Sequence, residues 1–251
     1  MLASDLACDL AVALDPAELA RKADLDPDPW QAKVLRSRAP RILMNCCRQS
    51  GKSTTTALLA VHTAHFEPRS LVLLLSPSLR QSQELFKKAL EVHHALNYPM
   101  ATEAESALRL ELKNGSRIVS LPGKETTVRG YSGVRLLAVD EAARVPDELY
   151  YSIRPMLAVS GGRLLGLSTP FGTRGWWYDA WRSDEPWERF RVPAADCPRI
   201  PPEFLDEERR VMGEWWYAQE YDCEFLDAET QPFGREEIDA AFHEDIEPWD
   251  L

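Results

Sequence analysis

Residues 46–53 read Cys46-Cys47-Arg48-Gln49-Ser50-Gly51-Lys52-Ser53, and this run constrains the fold more than any other part of the chain. The apolar Ile42-Leu43-Met44 before it suits a buried strand, and Thr54 to Phe66 after it, rich in Ala and Leu, reads as a helix. Strand, tight loop with Gly-Lys-Ser, then helix is the layout of a phosphate-binding loop. In such a loop, backbone N–H groups and a helix N-terminus cradle a polyphosphate. Lys52 would then reach the outer phosphates and the Ser53 hydroxyl would ligate Mg²⁺. The usual first glycine of the pattern is Cys46 here, and a short Gly-Lys-Ser match also arises by chance at loop-to-helix junctions.

A second element answers it. Leu136-Leu137-Ala138-Val139-Asp140-Glu141 is a buried-strand pattern ending in two acids, 88 residues past Lys52 (140 − 52). Asp140 at the end of such a strand can hold the Mg²⁺ shell, and Glu141 can position and deprotonate an attacking water. Alone, the pattern also fits an ordinary strand followed by a solvated Asp-Glu turn; paired with Gly51-Lys52-Ser53 it predicts a nucleoside triphosphatase. A third element is Ser168-Thr169-Pro170-Phe171-Gly172, which closes the strand Arg163–Leu167. A hydroxyl pair there can sense the γ-phosphate and move the segment that follows, although the same residues also favour a plain turn.

The rest of the chain sets the frame. At 251 residues there is room for a full α/β core and a small appended unit. No apolar run approaches membrane-spanning length, and the N-terminus lacks the basic-then-apolar order of a signal peptide. The five cysteines show no C-x-x-C spacing, so neither zinc nor a disulfide framework is indicated and a reduced, cytosolic setting fits. The net charge of −11 is uneven: residues 36–135 carry +8 (15 basic, 7 acidic), and residues 201–251 carry −14 (3 basic, 17 acidic). An anionic polymer can therefore meet the first half of the chain, with Lys113, Arg117, Lys124 and Arg135 as candidate phosphate contacts.

Alternating strands (41–46, 71–76, 136–139, 163–167) and helices (16–24, 29–37, 79–94, 147–157) predict a doubly wound, parallel-rich α/β sheet. Asn114-Gly115 marks a hairpin turn between 108–112 and 117–121. Over residues 175–226 six tryptophans (Trp176, Trp177, Trp181, Trp187, Trp215, Trp216) and helical stretches near 202–211 and 214–222 read as a small helical lid, its tryptophans in a core. The expected organisation is an ATPase core over 1–174, a lid over 175–226 and a linker over 227–251.

The ensemble resembles the ATPase domain of the large terminase subunit of tailed bacteriophages, over about residues 25–235. Cys47-Arg48-Gln49-Ser50-Gly51-Lys52-Ser53-Thr54 resembles that family's variant Walker A, with Arg-Gln before Gly-Lys and often no first glycine. Leu137–Glu141 with Ala142-Ala143 resembles its Walker B, and Ser168-Thr169-Pro170 its coupling motif. Trp30-Gln31 is similar to the upstream glutamine motif that reads adenine, and Val128-Arg129-Gly130-Tyr131 to the segment that carries an arginine finger.

The resemblance implies a P-loop NTPase of the additional-strand, catalytic-glutamate type with a helical lid. It implies ATP as substrate and Mg²⁺ as cofactor, with Gln31 and residues 48–54 binding ATP and Ser53 and Asp140 at the metal. Glu141, Lys52 and Arg48 would be catalytic, Arg129 would act in trans, and Ser168 and Thr169 would couple hydrolysis to movement. The implied partners are double-stranded DNA, the portal protein, the small terminase subunit and copies of the chain in a pentameric ring. Outside the ring the chain can be a monomer, its oligomeric state being left open by the sequence, and the setting is the procapsid in the host cytoplasm.

Residues 226–251 lack the strand ending in Asp with which the family's nuclease domain opens, so no DNA cleavage is expected from this chain. Two readings compete. A superfamily 2 helicase shares these motifs but needs a second RecA-like domain, and only 81 residues (251 − 170) follow Pro170. A non-catalytic nucleotide-binding scaffold would bind ATP without Glu141-dependent turnover. Arg154, before Pro155, is a further interface candidate.

Overall fold

Leu71–Ser76 is buried at every position, as a strand covered on both faces must be, and it sits in the middle of the molecule. The structure, a computed structural model, describes residues 2–96, 100–123 and 130–227. Its eight strands are β1 (Arg41–Cys46), β2 (Leu71–Ser76), β3 (Thr102–Glu105), β4 (Arg109–Leu112), β5 (Arg117–Pro122), β6 (Val134–Asp140), β7 (Arg163–Ser168) and β8 (Glu188–Val192). They form one sheet in the order β3-β4-β5-β2-β6-β7-β1-β8. From β5 to β8 every neighbouring pair is parallel, while β3, β4 and β5 form an antiparallel meander at the edge. Thus β7 is inserted between the strand that leads into the phosphate loop, β1, and the strand that carries the acid pair, β6. This is the additional-strand arrangement of an α/β P-loop fold.

The helices are α1 (Leu2–Leu14), α2 (Pro16–Lys22), α3 (Pro29–Arg36), α4 (Lys52–Phe66), α5 (Leu79–Ala95), α6 (Asp147–Ile153), α7 (Trp176–Arg182) and α8 (Pro202–Glu220). Strand alternation divides the core between two faces. Ile42, Met44, Leu74, Ala138 and Leu165 pack with α4 and α5 residues such as Leu59 and Phe86. Leu43, Leu73, Leu137, Val139 and Leu164 pack on the other face with Leu149, Ile153, Trp176 and Trp177. Trp176 stacks on Tyr150 at 4.0 Å between ring centroids, so these tryptophans are core, whereas Trp216 is exposed. Gly166 in β7 is what admits this aromatic layer: a Cβ there would come within 2.8 Å of Trp177 and 3.2 Å of Leu43.

Four elements depart from the expectations. Helix α1 and strand β3 were not foreseen, because α1 has little amphipathic contrast and β3 is exposed along its length. Pro155 ends α6 early and leaves a 3₁₀ turn over Arg154–Leu157. In the segment expected as a purely helical lid, Glu188–Val192 forms β8 and pairs in parallel with β1, so part of 175–226 belongs to the central sheet. Its sequence, Glu-Arg-Phe-Arg-Val, alternates too weakly to announce a strand. Helix α8 is broken at Gly213 (φ 78°, ψ 165°). Among the described residues no helix is long and apolar enough to cross a membrane.

Far from the sheet's carboxyl edge, His65 on α4 and His93 on α5 share one hydrogen bond, Nε2 to Nδ1 at 2.9 Å. Burial, then the neighbouring His93 and His62, hold His65 down to about 4 from its ordinary 6.5. The unfolded chain therefore takes up a proton near pH 6.5 that the folded chain refuses until about pH 4. This contributes stability present above pH 6.5 and lost as the pH falls toward 4, about 3 kcal/mol in all. His65→Gln, which cannot titrate, should lose less stability than wild type between pH 7 and 5 in urea unfolding. Equal losses would show that His65 does not titrate as its burial demands.

Candidate nucleotide site

The phosphate loop is built by the backbone. β1 ends at Cys46, and the chain turns through Gln49 (φ 59°) and Gly51 (φ 92°) before α4 starts at Lys52. Both left-handed positions lie after Cys46, which continues the strand, so the missing first glycine carries no conformational penalty here. Cys46 and Cys47 are fully buried, and Cys47 Sγ lies 3.7 Å from Cys197 Sγ. A Cβ on Gly51 would fall 2.7 Å from Gln31 Nε2 and 3.0 Å from Arg199 Nη2, so Gly51 is fixed by close approach as well as by φ. The Ser50 hydroxyl donates to the Cys47 carbonyl at 2.9 Å and tightens the loop.

The other two motifs arrive on the adjacent strands. β1, β7 and β6 are consecutive, so Asn45 pairs with Ser168 and Asp140 with Leu167 in register. The loop, the Ser168-Thr169 pair and the Asp140-Glu141 pair therefore meet at one carboxyl edge, where open α/β sheets bind ligands. A cavity of about 700 Å³ opens there, lined by residues 48–54 together with Gln81, Lys88, Glu141, Arg144, Thr169, Arg199 and Ile200.

Its electrostatics are set by burial. Asp140 accepts the Glu141 N–H at 3.0 Å and is buried. Burial, then the charge of Glu141, pushes its carboxyl up to about 6 from 3.8, against the partial relief of Lys52. Glu141 itself adopts a left-handed backbone (φ 48°, ψ 44°). Its carboxylate lies between two cations, 3.9 Å from Lys52 Nζ and 3.9 Å from Arg144 Nε. Arg144 in turn lies over the Phe171 ring at 4.2 Å, which links the acid pair to the loop after Ser168-Thr169. The Ser168 hydroxyl is buried without a hydrogen-bond partner among the described residues.

The donor set suits magnesium. Among the described residues no group of three or more His, Cys, Asp or Glu could hold a metal. A hydroxyl and one carboxylate, Ser53 and Asp140, instead match a cation that keeps its waters and takes phosphate oxygens as further ligands.

The remaining expected residues fall as follows. Arg48 is held by residue 220 twice: its N–H donates to the Glu220 carbonyl at 3.2 Å, and its Nε to the buried Glu220 carboxylate at 2.5 Å. That partner raises the Arg48 pKa further. The Gln31 amide closes a capping box by accepting the Asp28 N–H at 2.8 Å, and its Nε2 donates to the Gly51 carbonyl at 3.4 Å. Thr54 lines the cavity.

Lys113 and Arg117 lie at the amino edge of the sheet, where Arg117 pairs in register with Leu71, the first residue of β2. Gly123, which precedes Lys124, lies instead beside Ser76 and Pro77 at the carboxyl edge, so Lys113 and Arg117 do not share a patch with that end of β5. Lys124 and Arg129 themselves lie outside the described residues. Arg135 is paired with Glu67, and Arg154 lies over Tyr150.

Sequence reasoning missed Gln81, Lys88, Arg144, Arg199 and the role of Glu220. Only Arg144 left a signal, three residues past Glu141. The others come together through tertiary structure alone.

The sheet order and the loop define a P-loop α/β fold. The family model for the large terminase subunit, T4-like-virus type, N-terminal part, matches residues 43–240, and the chain belongs to this family. The large terminase subunit of Thermus virus P23-45 is 27% identical, covering 82% of this chain and 50% of that protein. The large subunit of Thermus phage G20c is likewise 27% identical over the same shares. The chain thus spans about half the length of these curated relatives. Among solved structures, the large terminase ATPase domain of Thermus phage P74-26 superposes with a TM-score of 0.73. The two are 24% identical, over 82% of this chain and 97% of that one. The large terminase of another thermophilic bacteriophage, in complex with ADP, gives 0.66 at 14% identity, over 80% of this chain and 54% of that one. These last two likenesses support the fold.

Asp140 yields a test. Its carboxylate form is penalised in the folded state, by about 3 kcal/mol for a rise from 3.8 to about 6, so stability falls as the pH rises through that window. Asp140→Asn should therefore be more stable than wild type by about 2–3 kcal/mol at pH 8 without Mg²⁺, and equal to it below pH 4. Urea unfolding at both pH values measures this. No gain at pH 8 would mean that Asp140 carries no buried charge.

Proposed function

We propose that this chain is the ATP-hydrolysing motor domain of a packaging terminase, driving double-stranded viral DNA into a procapsid. The observation that carries the proposal is the meeting of Lys52, Asp140-Glu141 and Ser168-Thr169 at the ends of three adjacent parallel strands. Phosphoryl transfer needs positioning and charge neutralisation more than covalent chemistry, and this edge supplies both.

In the proposed mechanism the N–H groups of residues 50–54 and the N-terminus of α4 receive the phosphates. Ser53 and Asp140 would hold Mg²⁺, which would neutralise charge on the phosphates when bound. Lys52 exchanges Glu141 for the outer phosphates, which frees the carboxylate to orient and deprotonate the attacking water. Arg144 keeps that carboxylate placed. Arg48 exchanges Glu220 for the γ-phosphate, and Arg129 completes a neighbouring subunit's site. Ser168 and Thr169 register the γ-phosphate and pass its loss to the segment beyond Phe171. Gln31, already seated on the Gly51 carbonyl, reads the base.

The core of this motor would be residues 1–174 with β8, and the lid the α8-bearing remainder of 175–226, linked onward from 227. Duplex DNA would meet Lys113 and Arg117 through its phosphates at the amino edge of the sheet, the portal and small subunit would be its packaging partners, and a pentameric ring in the host cytoplasm its working form. The proposal includes no nuclease step.

ATP hydrolysis measured against protein concentration tests it. Glu141→Gln should retain MgATP binding and lose at least about a hundredfold in rate. Wild type that binds MgATP and never turns over faster than Glu141→Gln, at any concentration, would return the chain to the class of nucleotide-binding scaffolds.

A further inference from the structure

Two charged side chains of the cavity, Lys88 and Arg199, have no part in the mechanism above, and Arg199 is the one anchored to the phosphate loop. Arg199 arrives from the stretch Cys197-Pro198-Arg199-Ile200, between β8 and α8, and reaches the outer side of the phosphate loop. A single nitrogen, Nη2, makes its contacts: it donates to Asp28 Oδ2 at 2.7 Å and to the Ser50 carbonyl at 2.8 Å. Among the described residues Nε and Nη1 donate to nothing, and half of the side chain remains exposed. Arg199 Nη2 and Gln31 Nε2 converge on Gly51 from beside one another, at 3.0 and 2.7 Å from where its Cβ would stand. Ile200, next in the chain, supplies an apolar surface to the same cavity.

A planar cation pinned through one nitrogen and half-exposed, in a cavity that the next residue lines with an aliphatic side chain, is a candidate stacking surface for an aromatic ring. Guanidinium planes take nucleobases in this way, and an ammonium does not. We propose that Arg199, with Ile200, is the platform on which the purine base of the bound nucleotide stacks. Asp28 and the Ser50 carbonyl hold the guanidinium plane, and Gln31 meets the edge of the base. Because Arg199 grips both the start of α3 and the phosphate loop, the base and the phosphates are positioned by one rigid unit.

This rests on the reading that the cavity takes ATP, and two ligands separate the claims. Calorimetric titration would compare MgATP with Mg–tripolyphosphate, which has the phosphates and no base, on wild type, Arg199→Ala and Arg199→Lys. Stacking of one base predicts that Arg199→Ala weakens MgATP about tenfold and changes tripolyphosphate by less than about twofold. Arg199→Lys keeps the charge and the Asp28 pair yet should lose nearly as much. Retained tripolyphosphate binding shows at the same time that the variant's loop is folded.

Equal weakening of both ligands would make Arg199 a brace of the loop and overturn the platform, as would no weakening of either. Wild type that binds tripolyphosphate as tightly as MgATP would remove the base subsite while leaving the phosphate reading intact. Wild type that binds neither would sink the ATP reading and this inference with it.

Discussion

Everything at the site hangs on how the chain reverses between β1 and α4. The strand must end and the helix begin within five residues, 47–51, and the backbone does this by entering the left-handed region at Gln49 and again at Gly51. Gln49 carries a side chain there, at a cost of about 1–2 kcal/mol, and Gly51 carries none because Gln31 and Arg199 leave no room for one. The reward is a helix N-terminus aimed at the carboxyl edge of the sheet, with its N–H groups unspent. The chain secures this turn from outside: α3 through Gln31, the stretch after β8 through Arg199, and the end of α8 through Glu220.

The second constraint is the insertion of β7 between β1 and β6. It separates the phosphate loop from the acid pair by one strand and fills the gap with Ser168 and Thr169. The same edge concentrates charge at low exposure. Asp140 is destabilised where it stands, and Glu141 is held between Lys52 and Arg144. Such an arrangement weakens the folded chain, and the proposed phosphates and cation would relieve it. The Gly166-dependent aromatic layer and the continuous apolar strands supply the burial that offsets it.

Much of this was legible in the sequence. Gly51-Lys52-Ser53, Asp140-Glu141 and Ser168-Thr169 are local patterns on strongly apolar strands, and strand β2 and helices α3, α4 and α5 announce themselves by composition and period. What stayed hidden depends on tertiary assembly. β8 has too little alternation to read as a strand, yet pairing with β1 makes it one. Arg199 and Lys88 look like any surface cation until the fold sets them around the cavity, and nothing local to Arg48 says that its partner is Glu220, 172 residues away. The basic residues of the first half read as candidate phosphate contacts with nothing to say where on the fold they stand. Strand direction puts Lys113 and Arg117 at the amino edge, away from the carboxyl end of β5.

The most direct measurement is a crystal structure of this chain with Mg²⁺ and a non-hydrolysable ATP analogue. The account predicts a triphosphate on residues 48–54, a cation reached by Ser53 and Asp140, and Glu141 released from Lys52 toward the γ-phosphate. It is contradicted if the nucleotide binds elsewhere, or binds this edge with Lys52 still on Glu141 and the acid pair remote from the phosphates.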